Sequence, residues 1–381
     1  MILGIDASNI RVGGGVTHLV ELLKEADPLK YGFTKVILWS GSKTLNQIEE
    51  RDWLEKQYLP VFDKSLLERI FWQRFKLSKL VKQNGCNLLF APGGSYAGDF
   101  HPMVTMSRNL LPFEWKELLR YGMSLKLFKM IILRFTQSYS FQVADGLIFL
   151  TAYSKEAVNK VTIIPDHKTI IIPHGISDQF VIKPRPHLTI GNYSKEKPFR
   201  IIYVSVIEMY KHQWNVAEAV YNLHRDGIPV VLDLIGSSYP PALKKLQKKL
   251  EEIDPNRKVI RYLGAVPYKE LHNNYDCSDL FLFASSCENM PNILLEGMAS
   301  GLPIACSKFG PMPEILDESG LYFDPLDVSS IKNVIKKLID SQNLRSELSN
   351  RAFQRARFFS WKNCADKTFE YFRTIIDLKL S

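Results

Sequence analysis

The sequence is short of several features, and each shortage narrows what the chain can be. No uninterrupted apolar run approaches the roughly 18–20 residues that a membrane span requires, so no spanning helix is expected. The five cysteines, Cys86, Cys277, Cys287, Cys306 and Cys364, are odd in number and scattered, without a Cys-x-x-Cys pair. That pattern excludes a disulfide framework and a zinc knot, and predicts thiols that are reduced and mostly buried. No His, Asp or Glu group has metal-ligand spacing, so no metal site is expected. Gly13-Gly14-Gly15 is not a dinucleotide fingerprint, because the third glycine of that pattern would fall on His18. A nicotinamide-dependent oxidoreductase is thereby disfavoured, and no nucleic-acid-binding motif is present. Met1 to Ile5 run directly into an apolar strand-like segment without a charged leader, which predicts a cytoplasmic location.

What is present describes a globular chain built on alternating elements. At 381 residues, with 46% hydrophobic and 23% charged residues, two domains are expected. Short apolar runs fall at 2–6, 35–40, 87–91, 103–106, 146–150 and 169–173, and again at 199–205, 229–235, 258–263, 279–284, 302–306 and 320–323. Runs of that length that do not alternate read as buried parallel strands. Amphipathic stretches lie between them, with clear helical patterns at 64–83 and 113–143 and, after the last strand, at 328–339, 341–358 and 360–378. Two doubly wound α/β domains follow, six strands in each. The proline- and glycine-containing segment 183–198 is the expected boundary, giving domains 1–185 and 186–359, with the helix 360–378 free to cross back to the first.

The densest chemical signal is the segment 280–301, LFLFASSCENMPNILLEGMASG. A buried strand ends near Ala284, a polar loop follows, and Pro291 is placed to open a helix. Glu288 lies in the loop and Glu296 on the helix, about a turn and a half beyond Pro291, so both can face one site. An ionised carboxylate accepts hydrogen bonds from two neighbouring hydroxyls, as the diol of a ribose or a pyranose offers. The free amides of Asn292 and Ile293 at the helix start are a seat for phosphate.

This block, with Gly301-Leu302-Pro303-Ile304, Gly310-Pro311-Met312-Pro313-Glu314-Ile315 and Gly320-Leu321-Tyr322-Phe323-Asp324-Pro325, resembles the Glu, seven residues, Glu motif of family 4 glycosyltransferases. The resemblance covers the second half well and the first half loosely. It implies the GT-B fold, two facing Rossmann-like domains with a C-terminal helix crossing back, and transfer with retention of configuration and no metal. It assigns Glu296 to the donor ribose and Glu288 to hydroxyls of the transferred sugar, with Asn289, Met290, Pro291, Asn292 and Ile293 around the donor.

Three further positions are read against that family. In the segment 203–212, YVSVIEMYKH, Lys211 follows a strand and precedes a helix, where a cation neutralises charge building on a diphosphate leaving group. The family has Gly and Arg where this chain has Ser205 and Val206, so one of two expected cations is missing. Gly13-Gly14-Gly15, after the first strand, resembles the family's glycine loop over the diphosphate, with Gly14 and Gly15 nearest the donor. In Met103 to Pro112, Arg108 and Asn109 stand where the family has a His and its neighbour. Arginine is no general base, yet it can hold an acceptor or a phosphate. His174, in Ile172-Pro173-His174-Gly175, is read as structural.

Charge is placed unevenly within the net +9: residues 1–185 hold 24 Lys+Arg against 17 Asp+Glu, and the remainder 25 against 23. Residues 115–136, WKELLRYGMSLKLFKMIILRFT, carry five basic residues and one acid, Glu117, interleaved with apolar ones. Such a helix either rests on an anionic membrane surface or covers the domain core with its long side chains. The reading that follows is a retaining transferase using a UDP- or GDP-sugar, acting on a glycan or polyprenyl-linked glycan at the inner face of the membrane, in surface polysaccharide biosynthesis. Its alternatives are a non-catalytic sugar-nucleotide-binding protein of the same fold and, further off, the oxidoreductase.

Overall fold

The computed structural model describes residues 1–11 and 13–380, which divide into two compact units. The first comprises Met1–Leu118, Gly122–Gly175 and Ser360–Ser381; the second comprises Leu119–Tyr121 and Ile176–Phe359. The segment 183–198 thus lies inside the second unit.

The first unit is built on seven strands: β1 (Ile2–Asp6), β2 (Lys35–Ser40), β3 (Leu54–Tyr58), β4 (Leu88–Ala91), β5 (Met103–Met106), β6 (Gly146–Phe149) and β7 (Thr169–Ile171). They form one parallel sheet in the order β3-β2-β1-β4-β5-β6-β7. The central strands β4, β5 and β6 are buried throughout, which is why they read as continuous apolar runs. β3 is not among the expected strands. Its sequence Leu-Glu-Lys-Gln-Tyr carries one buried apolar residue, because it is an edge strand whose Glu55 pairs with Lys35.

Helix α1 (Gly14–Glu25) follows β1. The expected helix 64–83 is a composite: α2 (Leu66–Trp72), a π turn at Gln73–Leu77 and a final turn at Ser78–Gln83. The expected helix 113–143 is broken at Gly122, whose φ of 54° suits glycine, leaving a short turn at Trp115–Leu118 and α3 (Leu125–Val143).

In the second unit the strands are β8 (Phe199–Val204), β9 (Val230–Ile235), β10 (Ile260–Gly264), β11 (Leu280–Phe283), β12 (Ile304–Ser307) and β13 (Leu321–Phe323). They form a parallel sheet in the order β10-β9-β8-β11-β12-β13. α4 (Gln213–Arg225) follows β8, and α5 (Asn292–Ala299) follows β11. Both sheets are doubly wound, as expected, and the architecture is that of the GT-B fold.

The last helix, α6 (Trp361–Leu380), belongs to the first unit and packs on its sheet. Phe372 meets Phe90 with ring centroids 4.9 Å apart, and Phe369 meets Phe33 at 5.9 Å. The Tyr371 hydroxyl accepts from Leu147 N (3.2 Å) and donates to Lys168 O (2.6 Å), so the helix is fixed by polar bonds as well as by burial. A Cβ on Gly175 would lie 2.1 Å from Trp361 N, so only glycine lets the chain pass the start of this helix. Four of the five cysteines are buried and all are free; Cys277 is exposed.

Candidate active site

In a doubly wound sheet, ligands bind beyond the carboxyl ends of strands where the strand order reverses. In the second unit that reversal falls between β8 and β11. The loop after β8 carries Ser205 to His212 and the loop after β11 carries Ala284 to Pro291, so the topology brings the two sequence motifs to one point. Ser286 N donates to Tyr210 O (2.8 Å), and the His212 Nε2 and Ser286 Oγ lie 2.7 Å apart. His212 adopts the left-handed conformation (φ 52°), and burial lowers its pKa to about 3, so it serves the loops as a neutral ring.

Lys211 and Glu288, 77 residues apart in sequence, form an ion pair between Nζ and Oε1. Both side chains are largely buried, at 7% and 14% exposure, so solvent does little to weaken the pair. The ammonium also lies 4.8 Å from the Phe283 ring and 5.4 Å from that of Tyr210, within range of cation–π attraction. The Tyr203 hydroxyl donates to Lys211 O (2.7 Å) and holds its backbone against the sheet. The 2.1 Å that would separate a Cβ on Gly236 from Ser205 O explains the glycine there. Ser205 is buried and donates to Val206 O (3.0 Å), while Val206 itself is exposed and brings no cation.

Glu296 lies on a helix that packs unusually close to β11. A Cβ on Gly297 would approach the Phe281 ring to 2.7 Å, so the glycine sets the depth at which the neighbouring carboxylate sits. Glu296 is buried, and burial raises its pKa to about 7 even though hydrogen bonds from Tyr275 and Tyr268 favour the ionised form. The Tyr275 hydroxyl donates to Oε2 at 3.1 Å. At the start of α5, after Pro291, the Asn292 Oδ1 is buried without a hydrogen-bond partner. Asn289 and Met290 are buried in the loop before it. Gly310, after β12, comes within 3.9 Å of Glu288 N measured from the Cβ it lacks. Thus Lys211, Glu288, Glu296 and the amide end of α5 are assembled by two neighbouring strand ends of one sheet.

In the first unit the reversal falls between β1 and β4. Gly13, with φ 69°, turns the chain into α1, and Arg108 Nη1 donates to Gly15 O (3.3 Å). A Cβ at Gly15 would stand 3.1 Å from Nη1, so the glycine admits the guanidinium. Burial pushes the Arg108 pKa down to about 10. Asn109 behaves as a turn residue: its Oδ1 accepts from Leu111 N (3.1 Å) and its Nδ2 contacts Met130 Sδ. In the same unit, His18 and His174 are buried with their Nδ1 atoms 3.0 Å apart, one donating to the other. Burial holds His174 at about 3 and His18 well below the usual imidazole range, so both rings are neutral and structural.

Sequence reasoning missed Tyr275 and Phe283, the groups beside Glu296 and Lys211. Tyr275 sits on a short helix outside any motif, and Phe283 reads as one more apolar strand residue. Among the described residues no group of three or more His, Cys, Asp or Glu is placed to hold a metal ion, and none of their helices is long and apolar enough to cross a membrane.

Known proteins resemble this chain in part of its sequence and in its fold. The family described as glycosyl transferases group 1 matches residues 190–355. The O-antigen chain mannosyltransferase B of Escherichia coli is 33% identical over 116 residues, 30% of this chain and 30% of its own. The chain therefore spans about three-tenths of the length of the curated relatives it matches. Among solved structures, sucrose-phosphate synthase from Thermosynechococcus elongatus aligns with a TM-score of 0.77 at 15% identity, covering 99% of this chain and 100% of that one. Anabaena HepE in complex with UDP-glucose aligns with a TM-score of 0.71 at 15% identity, covering 98% and 100%. The matched segment contains the whole six-stranded sheet with Lys211, Glu288 and Glu296, and over that segment the chain is similar to the glycosyl transferases group 1 family.

Proposed function

We propose that the protein is a retaining glycosyltransferase that moves a hexose from a UDP- or GDP-sugar to a glycan carried on a lipid, in the synthesis of a surface polysaccharide. The observation that carries this reading is the convergence of Lys211, Glu288 and Glu296 at the switch point of one sheet, beside the amide end of α5. A diphosphate supplies the anion that Lys211 and those amides fit, and the ribose supplies the diol that Glu296 fits. Glu288, ion-paired to Lys211 before donor binds, is then positioned to accept from hydroxyls of the transferred sugar. As the glycosidic bond to the diphosphate breaks, charge grows on the leaving phosphate, and the ammonium of Lys211 is the group that stabilises it. No metal is assigned to this step: the cation and the helix-end amides take the part a divalent ion plays elsewhere.

The missing cation at Val206 leaves more of that work to Lys211. Arg108, seated beside the glycine loop, is assigned to an anionic or hydroxyl group on the acceptor side, with Asn109 fixing the turn that presents it. The basic segment 115–136 is assigned to contact with the membrane that holds the acceptor. The mannosyltransferase relative favours mannose as the donor sugar.

The test is a transfer assay with a panel of UDP- and GDP-hexoses and short lipid-linked glycans, with the product anomer read by NMR. Retention with one donor, abolished in Lys211→Ala, supports the proposal. Inversion, or unchanged transfer in that variant, contradicts it.

A further inference from the structure

Helix α2 and the π turn after it leave most of their large apolar side chains in solvent. Inward, Leu77 and the half-buried Trp72 pack on the core beside two polar side chains: Arg69 Nη1 donates to Ser8 O (2.7 Å) and to Asn9 Oδ1 (2.9 Å), and Gln73 Nε2 donates to Asp6 Oδ2. Their outward residues are Leu66, Leu67, Ile70, Phe71 and Phe75, with Leu67 exposed by 78%, Phe71 by 62% and Phe75 by 61%. The Phe71 and Phe75 rings pack on each other at 4.6 Å and stand in solvent as a pair. An open apolar groove runs alongside, lined by Val61, Leu67, Phe71 and Trp72. A surface helix ordinarily turns such residues to the core, and a contiguous exposed apolar patch marks a surface that something covers.

The second helix of this kind lies nearby. α3 turns Leu127, Gln137, Ser140 and Phe141 inward, and leaves Leu125, Phe128, Ile132, Phe135 and Tyr139 exposed. One loop joins the two. Ala97 N donates to Gln73 Oε1 (3.0 Å), Arg74 Nη1 donates to Ala97 O (3.4 Å), and Tyr96 N donates to Ser140 Oγ (2.9 Å). Both apolar faces therefore flank the same loop of the first unit.

Charge selects the occupant. Residues 64–79 hold five basic side chains, Lys64, Arg69, Arg74, Lys76 and Lys79, against the single acid Glu68. Arg74, Lys76 and Lys79 are exposed around the phenylalanine pair. Exposed aromatic and aliphatic residues ringed by cations match a bilayer surface with anionic headgroups: the apolar side chains enter the acyl boundary and the cations meet phosphate. We infer that α2 with its π turn is a membrane-inserting element, and that Phe71 and Phe75 enter an anionic bilayer. The inference extends the membrane contact proposed for 115–136 to a second helix that the basic segment does not include.

The test is sedimentation of the protein with vesicles of phosphatidylcholine alone and of phosphatidylcholine mixed with phosphatidylglycerol. The expected result is binding to the mixed vesicles and little to the neutral ones. Phe71→Ser with Phe75→Ser should weaken that binding about a hundredfold, about tenfold for each phenylalanine withdrawn from the acyl boundary. Both side chains are exposed, so the double variant keeps its fold, which retained UDP or GDP binding in the second unit verifies. Binding by the double variant equal to that of the wild type overturns the inference, as does equal binding to neutral vesicles. So does a wild-type dimer, seen by light scattering, that the double variant converts to a monomer, since the patch is then a self-association face. Loss of binding in Leu125→Ser with Ile132→Ser but not in the α2 variant would leave the 115–136 contact standing and remove α2 from it. Nucleotide binding, measured on the same samples, keeps failure here separate from failure of the transferase reading.

Discussion

Replacing Glu296 by Gln should make the protein without ligand more stable at pH 8 while weakening its hold on nucleotide. Folding raises the Glu296 pKa to about 7 from an ordinary 4.5, because burial disfavours the charge more than the tyrosine hydrogen bonds favour it. The folded state therefore binds this proton more readily than the unfolded one. Its contribution to stability is full below about pH 4.5 and is lost as the pH rises through 7. The difference between 4.5 and about 7 corresponds to on the order of 3 kcal/mol between those limits. The substituted amide would keep the Tyr275 hydroxyl as a donor to its carbonyl and carry no charge to desolvate. At about 2–4 °C per kcal/mol for a unit of this size, the variant should melt roughly 6–12 °C above the wild type at pH 8. At pH 5, where the unfolded carboxyl is still mostly ionised, the difference should shrink to roughly 2–3 °C. Calorimetry at the two pH values is the assay. A variant that melts below the wild type at pH 8, or a difference that does not change with pH, refutes the reasoning.

The buried pair offers a second check. Lys211→Met alone leaves Glu288 buried without its cation and should lose about 3–5 kcal/mol in denaturant unfolding, whereas Lys211→Met with Glu288→Leu should recover most of that stability and no transfer activity. Gly297→Ala puts a Cβ 2.7 Å from the Phe281 ring and should cost about 1–3 kcal/mol, read by thermal melting; an unchanged melting point would mean that the helix shifts freely. Nucleotide affinity should fall about tenfold from pH 8 to pH 6 as Glu296 takes up its proton, and the Glu296→Gln variant should lack that component in isothermal titration.

The sequence is most legible where burial leaves one pattern. β4, β5, β6 and β11 are covered on both faces, and their apolar runs carry no competing signal. β3 is illegible because an edge strand needs no apolar face, and its Glu55 and Lys56 serve ion pairs. The break at Gly122 is hidden by an apolar periodicity that continues across it, since both flanking segments show exposed apolar residues. That same exposure makes 115–136 ambiguous between membrane and core, and leaves α2 unremarked, because a sequence shows that a face is apolar and not which way it points.

Within the site, Lys211 and Glu288 can be found because each lies in a loop after a strand end whose residue types are chemically unusual, and Glu296 because it lies on the helix that follows one of those loops. That Lys211 and Glu288 touch each other depends on the crossover between β8 and β11, which no local spacing records. Arg108 is visible as a departure from the family, but its seat against Gly15 requires the fold. Asn109 looks chemically available in the sequence; its turn hydrogen bond occupies it.

In the proposed function, the end of the second sheet between β8 and β11 holds a nucleotide through Lys211 and Glu296. Isothermal titration of UDP and GDP into the wild type and Glu296→Ala at pH 8, with NAD as a control, tests it most directly. Saturable binding of one nucleotide, lost in the variant, and no binding of NAD is the expected result. Binding of neither nucleotide, or equal affinity in the variant, would contradict it.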